Sequence, residues 1–115
     1  MAIIEYEGKK INVDDEGYLL NFDEWNETAA RALAKEYEGI REITKEQMDI
    51  IKFIREYYRQ YNFFPILNAI CKNVHQPRNC VSEEFINPIT AWRIAGLPKP
   101  DELIINLLEY GQSPG

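Results

Sequence analysis

A mainly helical α+β domain, a small bundle with an N-terminal β-hairpin, is the fold class this sequence predicts. Three observations carry it. Apolar and polar residues alternate over roughly the first twenty positions, and from Trp25 onward the apolar period lengthens to that of a helix. Capping residues, glycines and prolines then cut the helical part into short pieces.

Ile4 and Tyr6 alternate with polar neighbours, Gly8 supplies a turn, and Ile11 and Val13 resume the alternation. The run Asp14-Asp15-Glu16-Gly17 breaks it, and Tyr18-Leu19-Leu20 reads as a short third strand. A lone hairpin is marginal in water, so this one must pack on something helical. Ala30, Leu33, Ala34 and Tyr37 form one stripe of a helix that starts near Trp25 and that Gly39 can end. Thr44-Lys45-Glu46-Gln47 has capping-box spacing. The helix it opens lines up Met48, Ile51, Ile54, Tyr58 and Tyr61, and Ile50, Phe53 and Tyr57 widen that face into a core helix.

Asn62-Phe63-Phe64 stops this helix, and Pro65 is placed as the first residue of the next, with Ile66, Ala69 and Ile70 inward. His75 to Asn79 is a loop. Ser82 caps a short turn through Phe85 and Ile86; Asn87-Pro88 starts another helix, with Ile89, Trp92 and Ile94 inward and Gly96 closing it. Leu97-Pro98-Lys99-Pro100 is extended, because each proline disfavours helix at the residue before it. Asp101 then caps a last amphipathic helix, Leu103 to Leu108, ended by Gly111. The 115 residues thus form one domain: a hairpin region over 1–20, a helical body over 21–100 and a C-terminal helix within 101–115.

Apolar residues make up 45% of the chain and charged residues 28%, the balance of a globular protein rather than a disordered one. No apolar run approaches the roughly 18 residues of a membrane span. The N-terminus lacks the basic and apolar regions of a signal peptide, so the expected compartment is the cytoplasm. The net charge of −6 opposes generic nucleic-acid binding, yet it is unevenly spread. Residues 1–51 carry six basic and thirteen acidic side chains. Residues 52–99 carry seven basic ones (Lys52, Arg55, Arg59, Lys72, Arg78, Arg93, Lys99) against three acidic. That middle segment either faces an anionic partner or is a set of ordinary solvated helix faces.

Candidate chemistry is sparse. Cys71 and Cys80 are the only cysteines. One reading makes them a redox or sulfur-sensing pair across the Lys72–Asn79 loop, with Lys72, His75 and Arg78 lowering the thiol pKa. The other makes Cys71 a buried structural residue and Cys80 incidental, both kept as thiols by a reducing compartment. His75 alone completes no four-ligand zinc site and has no partner for base catalysis at a recognisable spacing. Asp14-Asp15 and Glu83-Glu84 read as turn and helix-start residues, and there is no glycine-rich phosphate loop. No cofactor, metal or independent catalytic activity is expected.

Several stretches together resemble the DsrC/TusE family, which includes the gamma-type partner of dissimilatory sulfite reductase and the sulfur-relay protein of tRNA thiolation. They are Glu16-Gly17-Tyr18-Leu19, the Trp25 helix start, Glu38-Gly39-Ile40, Thr44-Lys45-Glu46-Gln47, Ile54-Arg55-Glu56-Tyr57-Tyr58, Phe64-Pro65 and Arg93-Ile94-Ala95-Gly96-Leu97-Pro98-Lys99-Pro100. The resemblance spans about residues 4 to 100, and the last stretch is the most specific. It implies a helical bundle with an N-terminal hairpin and a helix-turn-helix-like centre.

It also implies sulfur chemistry on a flexible C-terminal arm, where a cysteine near the chain end accepts sulfur as a persulfide. In the sulfite-reductase partners a second cysteine lies upstream. The upstream position corresponds to Trp92, and the terminal one, three residues after the second proline, to Leu103. Neither side chain forms a persulfide or a disulfide. A capped apolar helix at Leu103–Leu108 also differs from a mobile arm; it either folds back on the body or pairs with another chain.

The first functional expectation is a non-catalytic or regulatory relative that binds a sulfite reductase or sulfurtransferase, with Leu103, Ile104, Leu107 and Leu108 as docking residues. The second is a DNA-binding regulator with Arg55, Arg59, Lys72, Arg78, Arg93 and Lys99 as anion contacts. The third is sulfur relay or redox sensing through Cys71 and Cys80.

Overall fold

In the computed structural model, which describes residues 2–65, 67–85 and 87–109, strands β1 (Ala2–Tyr6) and β2 (Lys9–Val13) form an antiparallel hairpin. The register runs from Ala2 opposite Val13 to Tyr6 opposite Lys9. Its two-residue turn, Glu7-Gly8, holds both residues at positive φ (50° and 78°), the turn whose twist matches the flanking strands. The expected third strand shrinks to one bridge, Val13 to Leu19. The Asp14 carboxylate is the cause: it accepts from the N–H groups of Glu16 (2.8 Å) and Tyr18 (2.9 Å), folding that stretch into a turn.

Helix α1 (Glu27–Glu38) covers the hairpin, and Ile11, Val13, Leu19, Ala29, Ala32 and Leu33 form a small core between them. It begins after Trp25 because Asn26 caps it, accepting from Ala29 N at 2.8 Å, and a 3-10 turn at Phe22–Glu24 comes first. Gly39, left-handed, ends it. Helix α2 (Lys45–Tyr61) has both halves of the capping box: Thr44 Oγ1 accepts from Gln47 N and Gln47 Oε1 accepts from Thr44 N. Met48, Ile50, Ile51 and Ile54 are buried at the centre of the main core. Tyr61, expected on the inward face, is exposed, the last turn of α2 having outrun that core.

Helix α3 (Leu67–Asn73) opens later than expected, leaving Pro65 buried ahead of it, while Ile70 packs inward. Helix α4 (Cys80–Glu84) opens earlier. Cys80 N donates to Pro77 O and Glu83 N to Asn79 O (both 2.9 Å), so Ser82 lies inside the helix and caps nothing. Helix α5 (Pro88–Ile94) has the expected start, with Asn87 capping Thr90 N and Pro88 in the first turn. Helix α6 (Glu102–Glu109) is capped by Asp101, whose Oδ1 accepts from Ile104 N at 2.9 Å. The expected roles of Ile66, Ile86 and Gly111 lie outside the described residues.

Cys71 at the end of α3 and Cys80 at the start of α4 are joined as a disulfide, with Cα atoms 5.7 Å apart. The sequence left open either a pair across the loop or two thiols with Cys80 incidental, and the structure has the pair. Both cysteines sit in the main core, because Gln76 N donates to Cys71 O (2.9 Å) and folds the loop back on α3. Closing so short a loop removes about 2–3 kcal/mol of unfolded-state freedom. Cys71→Ala/Cys80→Ala is therefore expected to unfold at lower urea concentration by an amount corresponding to that loss, with an unchanged helical circular-dichroism spectrum before the transition.

Candidate functional site

The stretch Arg93–Pro100 is gripped along its length by residues distant in sequence. Arg55 reaches it from α2: Nη1 donates to Ala95 O (2.9 Å) and Nη2 to Phe22 O (2.8 Å). Only 5% exposed, its guanidinium lies 3.8 Å from the Phe22 ring centre and 4.5 Å from that of Trp25. Burial, with Arg59 nearby, lowers its pKa to about 10, so the group is still charged at neutral pH. Trp25 Nε1 donates to Ile94 O (2.9 Å) and Trp92 Nε1 to Pro98 O (2.7 Å). Arg93 pairs with Glu38, which also accepts from the Thr90 hydroxyl (3.1 Å), and its guanidinium lies over the Tyr18 ring. Lys99 reaches Glu16 at 2.5 Å on the surface.

Gly96 makes this grip possible. At φ 71° it allows the close of α5, and a Cβ there would stand 2.6 Å from the Trp25 ring. Arg55 sets its strength. Arg55→Met keeps much of the volume but leaves two carbonyls without their charged donor, a loss of about 2–3 kcal/mol, against a smaller loss for Arg55→Lys. Urea unfolding of the three proteins checks the order.

Beyond the grip the chain turns into α6 and closes a groove of about 270 Å³. Tyr58, Asn62, Phe64 and Pro65 form one side, Trp92 the floor, and Ile104, Leu107 and Leu108 the other side. Phe64 stacks on Trp92 (ring centres 5.3 Å apart, planes at 16°), and Tyr58 meets Trp92 edge-on at 6.1 Å. Leu108 is buried in the main core and Ile104 packs against it, so α6 folds back onto the body. Leu103 and Leu107 are 68% and 53% exposed, and Phe63, which lines the same groove as Leu107, is also exposed.

The predicted residues are thus divided. Of the four docking leucines and isoleucines, Leu108 and in part Ile104 are used by the fold itself; Leu103 and Leu107 face solvent. The six proposed anion contacts do not form a common face. Arg55 is buried, Arg93 and Lys99 are paired with carboxylates, and Arg59 sits 3.8 Å from Glu56. Lys72 and Arg78 are exposed, as is His75. The DNA reading loses its two central arginines for a physical reason: Arg55 is buried with its Nη groups on Phe22 O and Ala95 O, and Arg93 is paired with Glu38 while its Nε is buried away from solvent. Sequence reasoning missed Arg55 as a core residue, although it stands four positions after Ile51, within the apolar stripe of α2. It also missed Trp25, whose indole shows no periodicity because it precedes the helix.

A hairpin laid on a helical bundle, with one extended strap fixed to the body and a C-terminal helix folded back on it, is the class of protein this geometry defines. The chain belongs to the DsrC-like family: the family described as "DsrC like protein" matches residues 5–104, which include Trp92 and Leu103. It is 36% identical over 102 residues to the "Sulfite reductase, dissimilatory-type subunit gamma" of Nitratidesulfovibrio vulgaris, covering 87% of this chain and 96% of the relative. It is 34% identical over 116 residues to the "Sulfurtransferase TusE" of Photorhabdus laumondii, covering 90% and 100%. Its fold matches the crystal structure of the oxidized gamma-subunit of the dissimilatory sulfite reductase (DsrC) from Archaeoglobus fulgidus, with a TM-score of 0.72 and 32% identity over 87% of this chain and 97% of that one. Among the described residues no helix is long and apolar enough to cross a membrane.

Proposed function

We propose that the chain is a cytoplasmic sulfur-metabolism protein that binds a sulfite reductase or sulfurtransferase partner without carrying sulfur on its C-terminal segment. One observation carries this reading. At the two positions where the family resemblance places cysteines stand Trp92, 2% exposed and stacked into the body, and Leu103, exposed on α6. A persulfide needs a nucleophilic thiolate on a segment that reaches into another protein; these positions offer an indole and an isobutyl group. Partner binding is supported by the relatives, one a subunit of a reductase and one a sulfurtransferase. The regulatory role follows: a chain that occupies a carrier's docking place and transfers nothing lowers the flux through it.

Capture of binding proteins from the native cell extract tests this, using the full chain and a chain ending at Pro100. The expected result is a sulfite reductase or sulfurtransferase held by the full chain and held less by the shorter one. Retention of neither enzyme by the full chain overturns the reading.

A further inference from the structure

The Cys71–Cys80 disulfide lies outside the Arg93–Pro100 strap and the C-terminal segment, and the function proposed above makes no use of it. We propose that it is a disulfide-exchange site of its own, opened by a dithiol and closed by a low-molecular-weight disulfide, whose redox state sets the looseness of α4. The cytoplasmic setting proposed above supplies such thiols, and a disulfide in that setting is commonly a transient, responsive one.

Three features point to exchange rather than to a permanent staple. The segment between the two cysteines carries Lys72, His75 and Arg78 and no carboxylate, and all three are exposed. A positive segment favours the thiolate that leaves when the bond is attacked. The cover over the sulfurs is thin. Residues 74–79 are mostly exposed; Val74 N and Glu83 N tie their two ends to α3 and α4 through Ile70 O and Asn79 O, and between those ends the hydrogen bonds are His75 N to Lys72 O, Gln76 N to Cys71 O, Cys80 N to Pro77 O, and Gln76 Nε2 to Glu46 O. His75 is held at φ 59°, a conformation that costs a non-glycine residue energy and that opening relieves. The loop therefore opens locally, exposing two cysteines that are each about 1% exposed when it is closed. Finally, α4 has little else to hold it. It is five residues long with no side-chain cap, and it adds Val81 to the core beside Cys80. One side-chain bond, Gln47 Nε2 to Glu84 O at 2.7 Å, ties its last turn to α2.

A thiolate of the dithiol attacks one sulfur, the Cys71–Cys80 bond breaks, and the other sulfur leaves as a thiolate. The second thiol of the reductant displaces the protein sulfur, leaving a cyclic disulfide. Two electrons and two protons end on Cys71 and Cys80, and the dithiol is oxidised. Oxidised glutathione runs the reverse exchange and is itself reduced to two thiols.

The test uses the full native chain with dithiothreitol and then oxidised glutathione, thiol labelling read by mass, and amide hydrogen exchange in both states. Two labels are expected after dithiothreitol without denaturant, and none after glutathione disulfide. Exchange over 74–85 rises on the order of tenfold in the reduced chain, while β1, β2 and α1 keep their protection. Lys72→Gln/Arg78→Gln slows reduction about threefold through the leaving thiolate, which a purely structural disulfide would not show under local opening alone. Labels that appear only in denaturant make the bond a staple and overturn the proposal. So do thiols that oxidised glutathione never joins, exchange that is unchanged or rises everywhere, or a reduction rate indifferent to the two charges.

Discussion

Trp92→Cys lowers the stability of this chain by about 3–5 kcal/mol, although it places a cysteine where the sulfite-reductase relatives are expected to have one. The indole is a structural member of the core: it stacks on Phe64, meets Tyr58 edge-on and donates to Pro98 O at 2.7 Å. A thiol fills a fraction of that volume, and the cavity opens directly under the groove. Trp92→Phe separates the two contributions, because it keeps the stacked ring and removes the donor, at about 1 kcal/mol. Urea unfolding followed by circular dichroism measures both. Equal stability of Trp92→Cys and the native chain would mean that the groove floor is not packed as described.

Leu103→Cys has the opposite character: little loss of stability and a gain of chemistry. Leu103 is 68% exposed on the first turn of α6, so its side chain contributes little to the core and a thiol there is reachable from solvent. Incubated with a low-molecular-weight persulfide, Leu103→Cys is expected to gain one sulfur atom at residue 103, removable by a reductant. Stability stays within about 0.5 kcal/mol of the native chain, as for other surface replacements. A variant that folds, exposes a titratable thiol and takes up no sulfur would show that helix α6 itself blocks the exchange.

The elements with strong local signals were legible in the sequence. Thr44–Gln47, Asn87-Pro88 and Gly39 act through bonds a few residues long, and each caps the helix it was expected to cap. Ser82 and Pro65 misled for the same reason in reverse. Their local preference was real, but the loop hydrogen bonds at Pro77–Cys80 and the burial of Pro65 moved the helix starts. The third strand lost to the side chain of Asp14, whose turn bonds compete with a ladder. What the sequence could not show is where distant groups meet. Arg55 reads as a surface cation until Ala95 O and Phe22 O are placed around it, and Cys80 reads either as incidental or as the partner of Cys71 until the 72–79 loop brings the two together. The family resemblance reached the right body, and the two positions it sets against cysteines stand in different surroundings: Trp92 in the core, Leu103 at the surface.

The proposed function requires that this chain, with the body of the DsrC-like family, take up no sulfur at the positions where the resemblance places cysteines. The intact mass of the native protein, recovered after incubation with a persulfide-loaded sulfurtransferase and mapped by proteolysis, tests it directly. The peptide containing residues 93–109 is expected to keep its unmodified mass, while the same peptide from Leu103→Cys gains one sulfur atom. A sulfur atom on that peptide of the native chain would contradict it.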